Sequence, residues 1–126
     1  MPKARTFLWI ASALLAATGL MHATAWGFVR TQFSGDGLEI ARLLWFTLAV
    51  DWVLVAGLWF AAGYGGAALL RPLVMISILL PLAAAVGQFV TLGPSFFGLY
   101  LLVLASAIAI IGAVRLGDEA KAPPPA

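Results

Sequence analysis

The chain has 126 residues, of which 63% are hydrophobic and 10% charged, with a formal net charge of +2 and no cysteine. A mean hydropathy of +1.07 excludes an ordinary soluble domain, and the small positive charge gives no support to nucleic-acid binding. Without cysteine the chain forms no disulfide and no thiolate metal site of its own.

The first apolar run covers residues 7–29. At about 1.5 Å per residue it is long enough to cross the hydrocarbon of a bilayer. The basic start, the apolar run and the Ala23-Thr24-Ala25 triplet imitate a cleavable signal peptide, and cleavage would remove His22. The apolar sequence nevertheless continues through Trp26, Gly27, Phe28 and Val29 to full spanning length, so a retained first helix is expected. His22 lies about 6 Å from the middle of this span, towards its second end. Arg-Thr-Gln-Phe-Ser-Gly-Asp-Gly then marks a turn.

The second run, 40–62, carries Asp51 at its midpoint. A central Asp costs about 2.5–3.5 kcal/mol on the insertion scale, and the Leu, Ile, Val and Phe residues of the span return roughly 3–7 kcal/mol. The helix inserts, but the carboxylate should turn inward and find a donor. Thr47, one turn away, shares its face. Trp45, Trp52 and Trp59 recur every seven residues, a stripe about 100° from Asp51 that suits helix or lipid packing. Trp45 and Trp59 fall near the interfaces, where an aromatic belt accounts for them; Trp52, at mid-depth, needs a partner for its indole N–H.

Gly-Tyr-Gly-Gly at 63–66 reads as a turn, since it lacks the Thr-Val and the pore helix of a potassium filter. The third run, 70–92, places Ser77, Pro81, Ala84 and Gln88 on one stripe. Pro72 is tolerable in a first turn, whereas Pro81 should kink the helix and free a carbonyl near Ser77. The fourth run, 96–114, holds Tyr100 in the same half of the membrane as His22. Small residues at Ala13, Ala16, Ala17, Gly19 and Ala23, at Ala83, Ala84 and Gly87, and at Ala105, Ala109, Gly112 and Ala113 allow close helix approach, and Gln88, Ser77 and Ser106 supply interhelical hydrogen bonds.

The expected fold is therefore an all-α membrane protein, an antiparallel four-transmembrane-helix bundle forming one domain over 1–116, with 117–126 as a disordered proline-rich tail. Lys3, Arg5, Arg71, Arg115 and Lys121 flank one side and Arg30 and Arg42 the other, which places both termini in the cytoplasm, in a bacterial inner membrane. Asp51, His22, Thr47, Gln88, Trp52, Tyr100 and Ser77 are the candidate ligand-binding residues, and Asp51 and His22 the candidates for catalysis through a shared proton. One His and no Cys argue against metal binding. No G-x-S-x-G, H-E-x-x-H or phosphate loop occurs, so the expectation leans away from an enzyme. In placing an acid and a His inside its spans, the chain is similar to sterol-isomerase-like and DoxX-like four-helix proteins; no shared run of residues accompanies this, and no functional residue is carried over.

Three functions fit these features. The first is a subunit or assembly partner that docks through its helix faces, in a membrane complex or a homo-oligomer. The second is a binder or isomerase-like carrier of a small hydrophobic ligand, such as a lipid, quinone or sterol, in an outer-half polar cavity. The third is proton or ion movement through Asp51 and His22.

Overall fold

The computed structural model of the chain describes residues 3–65 and 68–121. Its elements are α1 (Ala4–Val29), a 3-10 turn (Arg30–Gln32), α2 (Asp36–Gly65), a second 3-10 turn (Ala68–Leu70), α3 (Arg71–Ser77), α4 (Leu79–Leu92) and α5 (Phe97–Lys121). Among the described residues there is no strand. Four stretches, Ala4–Gln32, Asp36–Gly65, Arg71–Leu92 and Phe97–Lys121, are long and apolar enough to cross a membrane, which makes this a multi-pass membrane protein. Large side chains such as Leu20, Leu54, Phe60, Ile76 and Val90 stand on the outside. That surface suits lipid and not water.

α1 is the centre of the bundle, packing most extensively on α2 and next on α5, while α4 packs mainly on α5. On α2 the buried positions are Ala49, Trp52, Ala56, Trp59, Ala62 and Gly63, a near-heptad stripe that alternates large and small side chains. Glycine permits close approach to α1 at two of these levels. A Cβ on Gly19 would sit 3.1 Å from the carbonyl oxygen of Ala49, and one on Gly63 2.9 Å from the Trp9 ring. Ser12 Oγ crosses the same seam to donate to the carbonyl of Ala56 at 2.7 Å. On α5 the buried face runs through Ala105, Ala109, Gly112 and Ala113, as the small-residue pattern implies. Ala13, Ala17, Ala83 and Gly87, expected at interfaces on the same grounds, are exposed.

Pro81 does break the third span. α3 ends at Ser77 and α4 begins at Leu79, with Pro81 in its first turn; the missing proline N–H withdraws the bond that the Ser77 carbonyl would otherwise accept. Pro72 sits in the first turn of α3. Gly93 closes α4 at φ +80° with its N–H donating to the carbonyl of Phe89, a conformation that glycine adopts without strain.

Four expectations change. Residues 117–121 are helical, and Glu119 accepts from the Ala4 N–H at 2.8 Å, satisfying one of the open donors at the start of α1; residues 122–126 of the expected tail lie outside the described residues. Gly63, Tyr64 and Gly65, expected in a turn, instead form the last residues of α2, and Gly66 lies outside the described residues. Trp59 is no interfacial belt residue but 0% exposed, its Nε1 donating to Ser77 Oγ at 2.8 Å. Ser106 donates to the Leu102 carbonyl of its own helix, so it joins no second helix through that bond.

Candidate functional site

At the end of the bundle that carries the α1–α2 and α4–α5 connections, the helices leave a cavity. It has two adjoining lobes of about 490 and 530 Å³, both lined by His22, Trp45, Gln88, Leu92 and Phe96. Residues of α2 and α4 both line it; α2 packs mainly on α1 and α4 mainly on α5. Phe28, Val29 and Phe33 complete an apolar wall towards the connection, with Thr18 and Trp52 at the deeper end of the smaller lobe. Leu44 and Leu48 line only the larger one.

The aromatic groups hold His22 firmly. Its ring stacks on Trp45 at 3.9 Å between centroids and 11° between planes, and meets Trp52 at 4.9 Å and 57°. Trp45 Nε1 donates to the backbone carbonyl of His22 at 2.7 Å, so one tryptophan fixes both the ring and the backbone of this position. α1 and α2 are thereby tied together at the depth of the cavity.

Three buried polar atoms in this region have no hydrogen-bond partner among the described residues: His22 Nε2, Trp52 Nε1 and Gln88 Oε1. All three residues line the smaller lobe. A buried polar group left unsatisfied costs about 1–3 kcal/mol, and inside a bilayer there is little water to relieve it. They come from three different spans, so the clustering is not an accident of one helix. Trp52 is 1% exposed, and as a donor-only side chain it sets the polarity of one part of the wall.

The other candidates go elsewhere. Asp51 is half-buried and makes no hydrogen bond or ion pair with any described residue; in particular, no bond joins it to His22 or Gln88. It lies on the α2 flank that carries Leu44 and Leu48, one turn deeper than Leu48. Thr47 is exposed and lines a furrow on the outer face of α2, about 860 Å³, with Glu39, Arg42 and Val50. Tyr100 is exposed and its hydroxyl donates to the Pro94 carbonyl at 2.6 Å. Ser77 belongs to the other half of the bundle, accepting from Trp59 and donating to the Val74 carbonyl. The cavity thus gathers His22, Trp52 and Gln88 and leaves out the other four. Trp45 was legible only as part of a stripe; a tryptophan and a histidine at matching depth on neighbouring spans are the signal that would have paired them.

Among the described residues, no group of three His, Cys, Asp or Glu side chains comes together to hold a metal ion. The fold and the cavity define a class, a small multi-pass membrane protein with an aromatic-walled cavity at one end of its helices. No protein family, curated protein or solved structure matches this chain.

Proposed function

We propose that this protein binds a small hydrophobic ligand within the membrane, in the cavity between α2 and α4. The observation that carries this reading is that three residues with an unsatisfied buried polar atom, His22 on α1, Trp52 on α2 and Gln88 on α4, line one mostly apolar cavity. That combination, an apolar wall with a few convergent polar groups, is the usual make-up of a ligand site. Native mass spectrometry of gently extracted protein tests it: a bound hydrophobic mass is expected, and Ala41→Trp, which fills the larger lobe at a lining position, should release it. A chain that carries no ligand under any mild extraction would overturn the reading.

The topology that suits this function is an antiparallel bundle with both termini cytoplasmic, in a bacterial inner membrane. Five of the seven basic residues flank the end opposite the cavity, so the site opens towards the outer leaflet.

The packing of α4 favours a second reading, docking onto another membrane subunit or a second copy. α4 packs mainly on α5, and a Cβ on Gly87 would meet nothing within 4 Å. Close helix approach at such a glycine is a common association mode in lipid. Gly87→Leu should then abolish co-purification of a partner while leaving the cavity ligand in place.

A further inference from the structure

The unsatisfied atoms specify the head of the ligand more closely than the apolar wall does. Resting on the cavity reading above, we propose that the occupant is an uncharged, hydroxyl-headed apolar molecule, its oxygen accepting from Trp52 and its proton given to Gln88 or His22.

The indole N–H of Trp52 donates and cannot accept, so the ligand must present an acceptor. This alone removes an ammonium head and a plain hydrocarbon. Gln88 Oε1 accepts, so the ligand must also present a donor. With the amide oriented as here, an ether, an ester or a carboxylate would leave that oxygen unpaired. His22 Nε2 serves in either sense, since a neutral imidazole offers one donor and one acceptor. No Lys, Arg, Asp or Glu lines the smaller lobe, and a charged head brought there would be desolvated without a counter-charge. A hydroxyl is the smallest uncharged group that satisfies both demands at once. The apolar body then lies among Phe28, Val29, Phe33 and Phe96, on the side of the cavity towards the connections.

A matched ligand series tests this on the full chain in nanodiscs of phosphatidylcholine. Labelled hexadecanol is bound and then displaced with unlabelled hexadecanol, its methyl ether, hexadecanoate, hexadecylamine or hexadecane. The alcohol should displace at least about tenfold better than any of the others, the advantage of one well-placed buried hydrogen bond. Trp52→Phe, which removes the donor and keeps an aromatic ring, should weaken the alcohol about tenfold. Gln88→Leu together with His22→Phe, which removes both acceptors, should bring alcohol and methyl ether to nearly equal affinity, a change that a merely structural role for these two side chains would not produce. Equal displacement by all five compounds, or tighter binding of the acid or the amine, would overturn the head chemistry while leaving the cavity a ligand site. No binding of any of them, by a chain that also carries no native ligand, would overturn both.

Discussion

A Cβ built on Gly112 would lie 2.8 Å from Cγ of Leu8, a fully buried side chain, whereas one built on Gly57 meets nothing within 4 Å. Gly112→Ala should therefore cost about 1–3 kcal/mol, because the α1–α5 seam must part. Gly57→Ala should be neutral or gain up to about 1 kcal/mol through helix propensity. Reversible unfolding in mixed detergent micelles measures both, and equal effects would mean that the α1–α5 contact is not where stability resides. Asp51 allows a sharper statement. It has no partner among the described residues, so Asp51→Leu removes a carboxylate from mid-membrane without orphaning anything and should raise stability by about 1–3 kcal/mol. A loss of stability, together with strong non-additivity against His22→Ala, would restore a contact between the two. Depth along the span was legible for Asp51, His22 and Gln88 because it follows from residue count alone. Azimuth was not: a carboxylate and an imidazole at similar depth meet only if their helices are rotated towards each other, and the near-heptad stripe of α2 rotates Trp52 to the centre and Asp51 to the flank.

At the scale of elements, the tryptophan stripe of α2 is what fixes that rotation. Trp52 and Trp59 are both almost fully buried, and the small residues between them admit α1. The sequence pattern located the stripe but not its surroundings, because a seven-residue repeat of Trp suits lipid as well as protein. The break at Pro81 was legible, since the missing N–H has one local consequence wherever the chain lies; its use was not, because the partner of Ser77 comes from another span. Ser77 Oγ accepts from Trp59 and donates to the Val74 carbonyl, and the two roles respond differently to substitution. Ser77→Ala leaves the Trp59 N–H buried without an acceptor and should cost about 1–3 kcal/mol. Ser77→Thr keeps the hydroxyl and should recover most of that loss. Unfolding midpoints of the pair, read by circular dichroism, check the assignment; equal destabilisation by both would place the effect in packing and not in the hydrogen bond.

For the whole molecule, the four spans were legible because uninterrupted apolar runs have few other solutions in a bilayer, and the ends shifted because helices continue past the hydrocarbon. α2, with 30 residues, extends to about 45 Å, longer than the roughly 30 Å of the hydrocarbon, and its first turns carry the Arg42–Glu39 ion pair. α5 likewise runs on to Lys121, beyond its apolar run, because Glu119 finds work at the start of α1. These contacts bring the first residues of α1 and the last turns of α5 to one end of the bundle, where Arg71 also lies close to Gly117. The cavity occupies the other end. Since the chain has no cysteine, single substitutions report on orientation without background. Ser34→Cys, in the exposed connection between α1 and α2, should react with a membrane-impermeant maleimide in intact cells, and Lys121→Cys should react only after the cells are opened. The reverse pattern would turn the cavity towards the inner leaflet, and the proposed ligand would then be drawn from that leaflet. Equal labelling of both positions in intact cells would mean a mixed topology, which five flanking basic residues against two argue against.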